Sequence, residues 1–321
     1  MEITKNNYME KIKESRPNLK DNTIKQYEVH LNRLKKIFDT DNFDFLSNVD
    51  DVMEKLKNNH YTSQRNTLNA IIVLLLALNI KNEYDNLISQ YQSLRDKFNE
   101  KYVEDQLSGK ISEKQKDNFV SLEEIQAMLN KMKKEITTEN LKKKENLTPK
   151  DKELLMVYMI FSFMVKYPLR NDLAMMKYIS KSEYNKLTLE EKKKQNFLVN
   201  DKNNLKVVMN EYKTSRKYGE KTFNLDGDIK RIVRMFIRLT DVKVGDYLLI
   251  SGKGNPISKN YFTQLLVRTS QKYLDKNISS TMLRKIVVSD KFGSLKKEQN
   301  EMADIMGHDV ATQNLVYVKE K

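Results

Sequence analysis

Residues 281–318 read TMLRKIVVSDKFGSLKKEQNEMADIMGHDVATQNLVYV, and this stretch decides how the rest of the chain is understood. Leu283 and Arg284 open it, an amphipathic segment follows, then come Gly307 and His308, and Tyr317 stands nine positions after the histidine. Met302, Ile305 and Met306 fall at helical spacing, and a glycine directly after them suits the left-handed residue that ends a helix. His308 is therefore expected just past a helix end. Residues 311–318 leave room for a short helix that carries Tyr317 back toward it. Taken singly, a Gly-His pair is a helix stop and a tyrosine at such a place is a packing residue. The information lies in their joint spacing with Leu283 and Arg284.

Outward from that stretch, a length of 321 residues suits two domains rather than one small core. Lys and Arg number 58 against 44 Asp and Glu, a net charge of +14, and the pI is about 9.4. That is the electrostatic footprint of a nucleic-acid partner. An AT-rich genome enriches lysine without any selection for binding, but it enriches glutamate too, so the uncompensated excess still points to a polyanion. The chain has no cysteine, which excludes disulfides and thiolate metal sites and fits a reducing compartment. No signal peptide is expected. The longest apolar run, residues 70–78, is far too short to span a bilayer and reads as a buried helix; no membrane partner is expected.

Residues 1–105 read as an all-helical domain. Within residues 22–38, Ile24, Tyr27, Leu31, Leu34 and Phe38 recur at spacings of three and four, with Asn22 or Thr23 as N-cap. A second segment covers residues 43–56. The third helix starts near Thr62 with the polar Ser63, Gln64, Arg65 and Asn66 and turns into the apolar run, so its opening is expected at the surface. A fourth carries Tyr84, Leu87, Ile88, Tyr91, Leu94 and Phe98 on one face, completing a four-helix bundle. Residues 106–120 suit a linker, with Gly109 and alternating charges.

The second domain, residues 121–321, opens with a capping box at Ser121 and Glu124. Thr148 and Pro149 then supply the N-cap and first-turn proline of a strongly apolar helix. After a charged insertion at 180–195, residues 197–199, 205–212 and 221–225 read as three strands with turns between them. A helix over 228–239, a short strand over 247–250 and a helix over 260–273 complete the run to Arg284. The loop SGKGNP at 251–256 lacks the full phosphate-cradle pattern and reads as a turn. The fold class expected is mainly α with a small antiparallel sheet, a helical bundle followed by an α+β domain.

Leu283-Arg284, Gly307-His308 and Tyr317 at these spacings resemble the C-terminal active-site block of the tyrosine recombinases, the phage-type integrases. Upstream, YPLRNDL at 167–173 resembles the family's first arginine box, although its acid, Asp172, stands two places after Arg170 rather than three. The family places a lysine, often followed by threonine, on a β-hairpin; Lys213-Thr214 fits, with Arg216, Lys217 and Lys221 close by. The resemblance implies a SAM-like, core-binding N-terminal domain that clamps the far side of a DNA duplex, with Gln64 and Arg65 candidates for DNA contact in that domain and Arg216 and Lys217 in the second. It implies an intracellular site-specific recombinase acting on double-stranded DNA, assembled there as a homo-oligomer, without metal, nucleotide or other cofactor.

The roles it implies are these. Tyr317 attacks the scissile phosphate and becomes joined to the 3′ end; a phenol is a poor nucleophile near neutral pH and needs cationic partners. Arg170 and Arg284 present planar forks to the non-bridging oxygens, His308 donates a hydrogen bond to the phosphate, and Lys213 protonates the leaving 5′ oxygen. Two departures stand out. Thr281 occupies the place where the family usually has histidine, and a hydroxyl is no base near neutral pH; either the reaction proceeds without that group, or Lys285 or another residue substitutes. Four residues follow Tyr317, where many members of the family continue into a segment that docks on a neighbouring subunit; either the chain has been cut short or it assembles by other surfaces. A type IB topoisomerase shares the chemistry and would relax plasmids instead of recombining two sites; a DNA-binding relative without catalysis would form no covalent adduct. If both domains contact the duplex, DNA affinity falls steeply with salt, the logarithmic slope being about −0.9 per phosphate contacted. A titration between low and moderate salt that gives a slope near zero would contradict that arrangement.

Overall fold

A helix that is apolar on every side has to be covered on every side, and the described residues include two of them. The computed structural model describes residues 7–79 and 82–318, apart from the side chain of Lys114. It divides into two units between Ile111 and Ser112.

In the first unit, α1 (Tyr8–Ser15), α2 (Asp21–Ile37), α3 (Val49–Leu56), α4 (Tyr61–Leu78) and α5 (Asp85–Leu107) form the bundle, with a 3-10 turn at Asp44–Ser47. The buried helix is α4, whose apolar run from Ala70 to Leu75 lies wholly inside. α2 begins one residue earlier than its pattern suggests, and its N-cap is Lys20, with no side-chain cap. The reading from sequence missed α1, which is two turns long; its Tyr8 and Ile12 are buried in the same core. Tyr91 of α5 is fully buried, and its hydroxyl donates to the Leu46 carbonyl at 2.8 Å.

In the second unit, α6 (Glu113–Lys116) precedes α7 (Leu122–Thr138), and then comes the other buried helix, α8 (Pro149–Lys166), in which every residue from Leu155 to Met164 is inside. Capping boxes at Ser121 with Glu124 and at Thr148 with Asp151 start α7 and α8. β1 (Lys177–Ser180), α9 (Lys181–Lys186), α10 (Leu189–Lys193), β2 (Phe197–Asp201), β3 (Asn204–Met209), α11 (Ser215–Tyr218), β4 (Lys221–Asn224), α12 (Gly227–Thr240), α13 (Lys259–Leu274), α14 (Ser280–Met306) and α15 (Val310–Thr312) follow, and a π-turn spans Gln313–Tyr317.

The sheet, ordered β1-β2-β3-β4, is mixed rather than antiparallel, because β1 pairs with β2 in parallel. A parallel pair needs a crossover, and residues 180–195 supply it. Side chains alternate across a strand: Leu198 faces the main core, while Phe197 and Val199 face outward under Tyr184 and Leu187 of that crossover. The charged insertion is thus the cover of the sheet's second face. Residues 247–250 form no strand, only isolated bridges from Tyr247 to Lys177 and from Ile250 to Pro256. Replacing Tyr91 with Phe strands a buried carbonyl, which costs about 1–3 kcal/mol. Urea unfolding of Tyr91→Phe should register that loss; an unchanged midpoint would mean that water replaces the phenol.

Candidate active site

Arg170 follows the end of α8 and caps the 3-10 turn Asn171–Leu173; it is exposed. Arg284 lies in the second turn of α14, half-buried, and its Nε donates to the Pro168 carbonyl at 2.9 Å. That bond fixes the plane of the guanidinium beside the Arg170 segment. The affinity of Arg284 for its proton is lowered, first by burial and then by the positive charge of Arg170, with Asp172 opposing. Two like charges held close, one of them partly desolvated, make a place where an anion is favoured. The sequence separates these arginines by more than a hundred residues, and the fold brings them together.

Asp172 is buried beneath them and forms an ion pair with Lys259 (3.6 Å), which also pairs with Glu211 (3.4 Å). Burial raises the pKa of the Asp172 carboxyl, Lys259 lowers it, and Glu211 raises it again. Asn171 donates to the Lys259 carbonyl (2.9 Å) and to Thr263 Oγ1 (2.8 Å), fastening the turn to α13.

Lys213 is exposed in the connection between β3 and β4. β3 ends at Met209, so this connection is longer than a tight hairpin and holds the helical turn α11. The Tyr212 hydroxyl closes it by donating to the Gly219 carbonyl at 2.7 Å. The rival lysines lie over aromatic faces: Lys217 above Tyr218 at 5.2 Å, and Lys221 near both Tyr218 and Tyr212. Arg216 is exposed on the same turn.

Gly307 ends α14 with φ of 72°, as a left-handed cap, and His308 follows, half-buried. Its ring stacks on that of Tyr317, centroids 5.3 Å apart and planes 13° apart. Nδ1 lies 3.1 Å from the Asp309 carbonyl. A carbonyl only accepts, so Nδ1 carries the proton, and Nε2, buried without a partner among the described residues, is an acceptor in that tautomer. To donate from Nε2, the ring has to give up its bond to the Asp309 carbonyl or carry a proton on both nitrogens.

The site residues therefore form two pairs, Arg170 with Arg284 and His308 with Tyr317, at opposite ends of one helix. α14 is continuous from Ser280 to Met306, and the 22 steps from Arg284 to Met306 span about 33 Å. Every side chain in residues 288–302 is exposed, including Phe292 (55%) and Leu295 (53%). Gly293 stands within that arm, with open space around its Cα.

In the first unit, Gln64 is buried rather than at the surface: its amide donates to the Asn59 carbonyl at 2.8 Å and holds the loop between α3 and α4. The surface position expected of this residue is therefore not found, its carboxamide being engaged by that loop. Arg65 lies over the Tyr102 ring at 4.0 Å, 3.4 Å from Asn99 Oδ1, and binds α4 to α5. Lys285, the candidate substitute for a base, donates to Gln115 at 2.9 Å. Asn196, Glu211 and Lys259 carry no motif and were not singled out from sequence; only the fold joins them to the site.

Among solved structures, the chain is similar to a XerA recombinase, at 14% identity over 99% of this chain and 95% of that one, with a TM-score of 0.33. It is also similar to the XerH site-specific recombinase bound to its difH substrate in a pre-cleavage complex, at 11% identity over 96% of this chain and 90% of that one, with a TM-score of 0.37. No family model and no curated protein matches the sequence. At these scores the likeness is a likeness only, and what the chain does has to be argued from its own residues.

Proposed function

We propose that the chain is a site-specific DNA recombinase that breaks and rejoins strands through a 3′-phosphotyrosyl intermediate. The observation that carries this reading is the convergence of Arg170 and Arg284. Their guanidinium groups, one oriented by the Pro168 carbonyl, offer paired donors to the non-bridging oxygens of a phosphodiester and stabilise the charge that builds there. Tyr317 forms the new bond to phosphorus while the bond to the 5′ oxygen breaks, and Lys213 delivers a proton to that oxygen as it leaves. His308 donates a hydrogen bond to the phosphate. Rejoining reverses these steps, with the 5′ hydroxyl attacking the phosphotyrosine, so the linkage energy is kept in the intermediate.

Among the described residues, no cluster of His, Asp and Glu suits a metal ion, and none of the steps proposed here calls on one. Arg65, Arg216 and Lys217 are assigned to DNA contacts outside the reacting phosphate, and Arg65 has to leave Tyr102 to serve.

Tyr317→Phe should bind duplex DNA as the wild type does and yield no covalent adduct with a nicked suicide substrate. An adduct that survives the substitution would move the nucleophile elsewhere.

This reading also makes a demand on α14. The arginine pair and the tyrosine of the same chain serve one phosphate only when the helix breaks, and Gly293 is the natural place: glycine is the weakest helix former after proline, by about 1 kcal/mol relative to alanine. Folding the arm back would also cover Phe292, Leu295 and the apolar residues beyond them. Gly293→Ala should therefore bind DNA normally and form adduct several-fold more slowly. A mixture of Arg284→Ala and Tyr317→Phe chains should stay inactive. Recovered adduct in the mixture would mean that the arm of one copy serves the arginines of another.

A further inference from the structure

Lys213 and Arg170 have different tasks in the reaction proposed above, and they come from segments far apart in sequence. A buried asparagine bonds to both of those segments. Asn196 stands just before β2, 4% exposed. Its Oδ1 accepts from the backbone amides of Asn210 and Glu211, both at 2.9 Å. Its Nδ2 donates to the Glu211 carbonyl at 2.8 Å and reaches the Asp172 carbonyl at 3.4 Å. One side chain thus holds residues 210 and 211, three and two places before Lys213, against residue 172, two places after Arg170. No other side chain of this size offers two donor hydrogens and an acceptor oxygen from one planar group: aspartate lacks the donors, and leucine lacks both.

A second tie joins the same two segments from outside. The Lys259 ammonium lies between the carboxylates of Asp172 (3.6 Å) and Glu211 (3.4 Å). Gln195, next in sequence, adds a bond from its amide to the Met175 carbonyl. The start of β2 is thus fastened on one side to the turn that bears Arg170 and on the other to the connection that bears Lys213.

We infer that Asn196 is a positioning residue, which places Lys213 within reach of the leaving 5′ oxygen. This inference rests on the recombinase reading. Three of its four bonds go to residues 210 and 211 and the fourth is the longest, so loosening it moves the lysine and leaves Arg170, which is anchored separately through Asn171. Misplacing an acid by about 1 Å costs up to about a hundredfold in rate.

The test compares adduct formation on ordinary DNA and on DNA with a 5′-bridging sulfur, whose thiolate leaves without a proton. Lys213→Ala should be slow on the first and recover on the second. Asn196→Asp, nearly isosteric, keeps the acceptor oxygen and turns a second oxygen on two carbonyls; it should be about a hundredfold slow on ordinary DNA and recover on the sulfur substrate, with DNA affinity unchanged. Lys259→Met, which cuts only the outer tie at a half-exposed site, should show the same pattern more weakly and serves where Asn196→Asp does not fold. Equal slowing of both variants on both substrates, with Lys213→Ala behaving as stated, overturns the positioning role alone. If Lys213→Ala gains nothing from sulfur while Lys217→Ala or Lys221→Ala does, the acid is another lysine and the inference falls. Absence of any adduct from the wild type overturns both the inference and the recombinase reading.

Discussion

The second unit depends on the burial of α8. Ten consecutive residues of this helix, Leu155 to Met164, are inside, and each fully buried large apolar side chain contributes roughly 1.5–3 kcal/mol. No single neighbour covers a helix on all sides, so α7, α12, α13 and the first turns of α14 are all drawn against it. Both arginines follow from that requirement. Arg170 lies where the chain leaves α8, and Arg284 lies on the part of α14 that packs beside it, with Leu283, Ile286 and Val287 turned into the core. The charged pair is thus placed by apolar packing a few residues away, which is why its separation in sequence does not matter.

Polar ties then set the finer geometry. Tyr167, next after α8, accepts from the Asp226 amide at 2.9 Å, and Lys166 pairs with Asp226 at 3.0 Å, which fastens the end of α8 to the start of α12. Asn171 ties the following turn to α13, and Asn196 ties the sheet to that turn. Asn196, buried with both ends of its amide paired, is specific in a way that apolar contacts are not, since a shift that leaves a donor unmatched costs about 1–3 kcal/mol. The apolar core decides which elements meet, and these few amides decide where their ends stop.

This division explains what the sequence disclosed. The helices with strong apolar periodicity or a capping pair were legible, as were three strands bounded by turn residues and the Gly307 helix stop, because each rests on a local rule. β1 was not, since a four-residue parallel strand has neither turn nor alternation to mark it. Nor was α1, whose two turns carry only two buried residues. Gln64 was misjudged because a glutamine in a helix's first turn usually faces water, and only the loop before α4 explains its burial. The candidate site residues were named from a family resemblance in motif and spacing, yet neither said anything of α14 running unbroken from Arg284 to Met306: glycine is a weak helix former, but the helix passes through Gly293. Asn196 and Lys259 left no trace at all, because a polar tie between distant segments is visible only once they are adjacent.

The bare stretch of α14 obeys different thermodynamics from the body it grows out of. Residues 288–302 bury no side chain, so their order comes from backbone bonds within the helix and from contacts such as the Lys297–Glu301 pair, and an isolated helix of this length is marginal in water. Its order follows a helix–coil balance, which strengthens on cooling, whereas burial of apolar surface weakens on cooling. Temperature therefore acts in opposite senses on the arm and on the hydrophobic core. Amide exchange in the arm should proceed by local fraying, at rates unrelated to the global stability of the unit from which it projects.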